Sequence, residues 1–139
     1  MLDDGPFISL TAEDFNEKVE QGYEIIDIRR SDEWEHFGVI QGSHKITFFD
    51  EEGGYDTDGF LAAFTKIVTD KEQPFILVCA HARRTKAVGR LLTLQLKYIN
   101  VYELDGGINW GWIDKGYKTI KWLYFCASIE KKEYYTAPR

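Results

Sequence analysis

The sequence predicts an α/β fold, a central parallel β-sheet with helices on both faces. Two observations carry this. Short apolar runs alternate with segments of helical spacing, joined by short connections, and that order calls for a parallel sheet covered on both sides. The 139 residues, 44% of them hydrophobic, fit one domain with an ordinary core. No internal repeat or low-complexity segment interrupts the pattern.

Along the chain, Thr11 caps a helix whose first turn holds Glu13 and Asp14, with Phe15 and Val19 on one face and Gly22 at its end. Glu24–Arg29 reads as a buried strand ending in charge. Ser31 caps a short helix over Asp32–Phe37. Residues 38–43 form a loop, and His44–Phe48 a short strand. Asp50–Gly59 is an acidic, glycine-rich surface loop, and Phe60–Val68 has helical spacing. Pro74–Val78 is a strand of four apolar residues after proline. Thr85–Lys97 is a strong helix, with Val88, Leu91, Leu92 and Leu96 repeating at three and four. Asn100–Leu104 is a strand, Asp105-Gly106-Gly107 a tight turn, and Ile108–Lys115 a short aromatic helix stopped by Gly116, its tryptophans Trp110 and Trp112 expected in the core. His36 and His44 are expected at the surface or in turns.

Composition excludes several function classes. The two cysteines, Cys79 and Cys126, make neither a disulfide framework nor a zinc site, and no metal or other cofactor is expected. No segment has 18 consecutive apolar residues, so no membrane span is expected. The acidic N-terminus lacks the pattern of a signal peptide, and a cytoplasmic setting is expected. The net charge of −6 is uneven: residues 1–60 hold 16 acids and 4 bases, residues 61–139 hold 7 acids and 13 bases. No acid falls between Glu72 and Glu103, where Arg83, Arg84, Lys86, Arg90 and Lys97 lie. A local positive field in an acidic protein fits a small anionic substrate rather than nucleic acid, which needs a broader basic surface.

The run Phe75–Thr85 is the chemical centre of the sequence. Cys79 follows the strand directly and precedes a short basic loop and a helix. The carboxyl end of a strand is where α/β proteins place their sites. A helix N-terminus and two arginines favour a thiolate there, hence a nucleophile. Cys126, in the apolar segment Trp122–Cys126, is expected to pack.

Three segments around this loop resemble the rhodanese-like sulfurtransferase family. Ile25-Ile26-Asp27-Ile28-Arg29 with Glu33-Trp34 resembles its first signature. Gly38-Val39-Ile40-Gln41-Gly42-Ser43 resembles its glycine-bounded turn. Leu104-Asp105-Gly106-Gly107-Ile108-Asn109-Trp110, followed by Gly116-Tyr117, resembles its second signature. Between them Cys79 and Arg84 stand like the ends of the family's Cys-x-x-x-x-Arg loop. The likeness spans roughly residues 6–118. Val39, Gln41 and Ala82 depart from the family pattern. Ala82 stands where the loop often has glycine, which tolerates the unusual backbone angles of such a loop best.

The resemblance implies a rhodanese-like fold over residues 1–118. Residues 119–139 lie outside the likeness as a C-terminal extension, whose apolar segment Trp122–Cys126 is expected to pack on the domain or on a second copy in a homodimer. It implies a sulfurtransferase that moves a sulfane sulfur from a small anionic donor such as thiosulfate to cyanide or a thiol, through a persulfide on Cys79. Ala80, His81, Ala82, Arg83, Arg84 and Thr85 are then the substrate-binding loop, with Arg84 clamping an anionic oxygen. Asp27 and Arg29 hold the neighbouring structure. Phosphatases and arsenate reductases of related architecture resemble Cys-x-x-x-x-x-Arg, a loop one residue longer and wider. Here Thr85 occupies the position that arginine would need. A non-catalytic protein-binding module is the remaining alternative.

Overall fold

The computed structural model describes residues 7–122 and the backbone of Tyr134–Tyr135. Its sheet has five parallel strands: β1 (Ile8–Leu10), β2 (Glu24–Asp27), β3 (His44–Lys45), β4 (Phe75–Val78) and β5 (Val101–Leu104), in the order β1-β5-β4-β2-β3. β4, central and flanked by β5 and β2, is buried at all four positions, which is why it reads as an unbroken apolar run rather than an alternation.

Successive strand residues point to opposite faces. Ile25, Ile76, Val78 and Leu104 pack on one side with Phe15, Ile108 and Trp112. Ile26, Leu77 and Cys79 pack on the other with Phe60, Phe64, Val88 and Leu92. The helices on the first side come from α1 (Ala12–Glu20) and the segment after β5. Those on the second are α3 (Thr57–Phe64) and α4 (Arg84–Arg90). Cys79 therefore emerges on the side of α3 and α4.

Local chemistry fixes the ends. The Thr11 side chain accepts from the Asp14 N–H at 3.2 Å, capping α1. α2 (Ser31–Phe37) starts one residue before the predicted span: Arg30 is its cap, and the Arg30 N–H donates to Glu33 Oε1 at 3.0 Å. α3 starts three residues early and ends four early. The Asp56 side chain accepts from the Gly59 N–H at 3.1 Å and caps it inside the expected loop. The long helix expected over Thr85–Lys97 is α-helical to Arg90 and widens into a π-helical turn over Leu91–Gln95. A similar turn covers Asn109–Ile113. β3 is two residues long, shorter than expected, with the half-buried His44 ring on it and 2.8 Å from Glu24 Oε1. β1 was not apparent in the sequence. Two of its three residues are exposed, so it carries no alternation.

After residue 118, Ile120 and Val39 exchange backbone hydrogen bonds of 2.8 and 2.9 Å, the Thr119 hydroxyl donates to the Phe37 carbonyl, and the Trp122 ring meets Trp34 edge-on at 5.1 Å. β6 (Thr119–Ile120) pairs antiparallel with β7 (Tyr134–Tyr135). Cys126 lies outside the described residues. Among the described residues no helix is long and apolar enough to cross a membrane.

Candidate active site

β4 delivers Cys79 to the carboxyl edge of the sheet, 1% exposed, and the chain then turns through residues 80–83 into α4. The turn after β5 grips this loop from behind. The Ile108 N–H donates to the Cys79 carbonyl at 2.8 Å and the Asn109 N–H to the Ala80 carbonyl at 3.0 Å. Such close approach requires Gly107. Its φ is +69°, and a Cβ there would lie 2.3 Å from the Ala80 oxygen and 2.6 Å from the Cys79 oxygen. The second signature is thus a backbone clamp on the cysteine loop.

With two loop carbonyls held on that side, no N–H group of residues 80–85 donates to a carbonyl or side-chain acceptor among the described residues. Ala82 has φ +63° and Arg83 has φ −96°, ψ −49°. Adjacent residues of opposite hand turn successive N–H groups inward, the arrangement that binds anions. The loop keeps the curvature that glycine would favour, with alanine in the left-handed region.

Arg84 has both terminal nitrogens on Glu33, 2.8 Å from Oε1 and 2.6 Å from Oε2. Its fork is engaged with a protein carboxylate. The Glu33 hydrogen bond holds the Arg84 pKa above its usual value despite burial, and the charges of Glu33 and Asp27 add to this. Burial pushes the Glu33 carboxyl upward, but the Arg84 contact and the Arg30 N–H outweigh it, and its pKa lies below the usual range. Glu33 both caps α2 and anchors the loop.

On the inner side, the Thr85 hydroxyl is fully buried. It lies 3.8 Å from Cys79 Sγ and donates to Glu103 Oε1 at 2.6 Å. Glu103, also fully buried, takes Lys86 Nζ at 2.6 Å on Oε2 and a hydrogen bond from the Ser9 hydroxyl. Lys86 Nζ also donates to the Ala82 carbonyl at 2.9 Å. At the end of β2, Arg29 grips Asp27 through Nε at 3.0 Å and Nη2 at 2.8 Å, and Nη2 reaches the Gly38 carbonyl at 2.9 Å. This buried pair ties the strand end to the turn after α2.

The family model for the rhodanese-like domain matches residues 11–114. The chain belongs to the rhodanese-like domain family. No curated protein matches it in sequence. Solved structures share its fold. A polysulfide-sulfur transferase homodimer from Wolinella succinogenes is 18% identical, with a TM-score of 0.64, over 86% of this chain and 82% of that one. A thiosulfate sulfurtransferase from Pseudomonas aeruginosa is 23% identical, with a TM-score of 0.61, over 80% of this chain. A protein of unknown function from Rhodopseudomonas palustris, described as a possible tyrosine phosphatase, is 24% identical, with a TM-score of 0.55, over 79% of this chain and 82% of that one. The chain spans 19% of the Pseudomonas protein and 16% of a Bacillus anthracis CoADR-RHD, so it corresponds to a part of each.

The rhodanese-like domain brings Cys79, Ala80, Ala82, Arg84 and Thr85 together at one strand end. Arg83 is exposed. His81 is half-buried, its ring 4.3 Å from that of Trp110. Trp110, expected in the core, is 51% exposed and belongs to the loop's outer rim, while Trp112 is buried as expected. Sequence reasoning missed Glu103 and Lys86. The available signal was the period of β5, which places Glu103 on the same face as Val101, toward the core.

Proposed function

We propose that this domain is a sulfurtransferase that carries sulfane sulfur as a persulfide on Cys79. The observation that carries the reading is the Cys79 loop itself. A cysteine ends the central strand, its loop closes at Arg84, and the N–H groups of residues 80–85 have no acceptor among the described residues. The fold it shares with two sulfur transferases supports the same class.

In the first half-reaction the Cys79 thiolate attacks the sulfane sulfur of a donor such as thiosulfate. A new S–S bond forms at Sγ, the donor's S–S bond breaks, and sulfite leaves with the electron pair. Both the attacking thiolate and the leaving anion are negative, and the free N–H groups of residues 80–85 supply the matching partial charge. Arg84 contributes a fixed positive charge and, through Glu33, a fixed loop end. Arg83 and His81 stand at the outer side, where they can meet an incoming anion. In the second half-reaction a thiol or cyanide attacks the outer sulfur, and Cys79 departs as the thiolate.

Loop length argues against phosphoryl chemistry. A cradle for a tetrahedral phosphate resembles the longer loop, whose arginine would fall at Thr85, a residue turned inward to Glu103. Mass measurement after exposure to thiosulfate tests the reading directly, and failure to hydrolyse an aryl phosphate tests the exclusion.

A further inference from the structure

The hydrogen count between Cys79 and Glu103 has one consistent solution. An ionised carboxylate only accepts hydrogen bonds. Glu103 is paired with Lys86, and the Thr85 hydroxyl, 2.6 Å from Oε1, donates to it. A hydroxyl has one proton. Committed to Glu103, it leaves Thr85 with only lone pairs toward Cys79 Sγ, 3.8 Å away. Sulfur can bond to those lone pairs as S–H but gains nothing from them as a thiolate.

We propose that Glu103 sets the protonation of Cys79 through Thr85, withholding the hydroxyl's proton from the sulfur and favouring the resting thiol. Glu103 is then a positioning residue that opposes the loop N–H groups, which favour the ionised form of the nucleophile. No covalent step is involved; the Cys79 proton leaves to solvent when the thiolate forms. Of the other charged groups on the elements around Cys79, Asp27 of β2 is paired with Arg29 and Glu33 of α2 with Arg84 of α4, while Arg90 of α4 and Asp58 of α3 are exposed. His81 and Arg83 lie on the loop itself, His81 against Trp110. Glu103, paired with Lys86, differs from these carboxylates in reaching the sulfur through a shared hydroxyl.

The inference rests on Cys79 being the reactive thiol of the sulfurtransferase reading, but its test needs no sulfur donor, so the two fail separately. The full chain, labelled with carbon-13 at cysteine Cβ, is titrated by NMR, with the Cys79 signal assigned through Cys79→Ser. This readout requires no access to the buried sulfur. Glu103→Gln places an amide donor against Thr85 and frees the hydroxyl proton for sulfur. Its Cys79 midpoint is expected about one pH unit lower, a tenfold gain in thiolate. Thr85→Val removes the hydroxyl, and its midpoint is expected not to rise. In a Thr85→Val background the shift caused by Glu103→Gln is expected to shrink by half or more, the mark of coupling through the hydroxyl. An unmoved midpoint in Glu103→Gln overturns the proposal. So does an equal shift in both backgrounds, which would mean a through-space charge effect. A rise of about one unit in Thr85→Val would mean the hydroxyl donates to the thiolate, and overturns it even where Glu103→Gln fails to fold.

Discussion

Arg84 and Glu33 lock together two parts of the chain 51 residues apart, with guanidinium nitrogens 2.8 and 2.6 Å from the carboxylate oxygens. The pair joins the end of the cysteine loop to the first turn of α2. Glu33 in turn receives the Arg30 N–H, so helix start and loop end share one carboxylate.

Removing the arginine should therefore act on both stability and turnover. Arg84→Ala leaves Glu33 largely buried with only the more distant Arg30 guanidinium, 4.0 Å away, a loss of about 1.5–3 kcal/mol in denaturant unfolding. Sulfur transfer from thiosulfate should fall more than about tenfold, the rate equivalent of roughly 1.4 kcal/mol. Arg84→Lys should recover little, since an ammonium cannot reproduce the two-pronged contact. Turnover within about twofold of the native protein, against that tenfold expectation, would remove Arg84 from the site.

The same pair makes stability depend on pH. The Glu33 pKa is lowered in the folded protein, so the unfolded chain binds its proton more readily. The contribution is fully present above the ordinary carboxylate value of about 4.3 and is lost as pH falls through the lower folded value. Glu33→Gln should flatten that acid limb in unfolding measured across a pH series. An identical acid limb in the native protein and Glu33→Gln would show that the pair contributes nothing.

Ala82 holds φ +63° inside the loop. The left-handed conformation costs an L-residue about 1–2 kcal/mol, and glycine's extra unfolded-state freedom returns about 0.5–1 of that. Ala82→Gly should stabilise the domain by about 0.5–1 kcal/mol, read from the denaturant midpoint. Destabilisation would show that the alanine methyl, buried in the loop, packs for more than its backbone costs.

Gly107→Ala should be among the most damaging small substitutions. Its methyl would meet the backbone oxygens of Ala80 and Cys79, which have no rotamer to escape by. The left-handed φ and the overlap together predict a loss of at least about 2 kcal/mol. Because the displaced atoms belong to the cysteine and the residue after it, turnover of the surviving folded protein should fall as well. Native-like stability with native turnover would contradict the clamp.

How much of this was legible in the sequence follows from distance along the chain. The β4 run, Cys79 and the order of the glycine signatures are local patterns, and the parallel sheet follows from them. The Thr11 cap is local too. Asp56 was not recognised as a cap because it sits in an acidic, glycine-rich stretch where nothing apolar marks the helix until Phe60. The site's polar pairings are long-range. Glu33 with Arg84 and Thr85 with Glu103 join separate elements brought together only by the sheet order. The period of β5 turns Glu103 toward the core, but its partners Thr85 and Lys86 lie on a separate element. Trp110 departs from expectation for a related reason: a tryptophan two residues from another reads as core, but the π-helical turn sends it outward beside His81.

The most direct test of the central claim is intact mass of the protein after exposure to thiosulfate and removal of excess donor. The native chain should gain the mass of one sulfur atom, lose it on addition of cyanide or a thiol, and show no gain in Cys79→Ala. No gain in the native chain, or an equal gain in Cys79→Ala, would contradict a persulfide on Cys79.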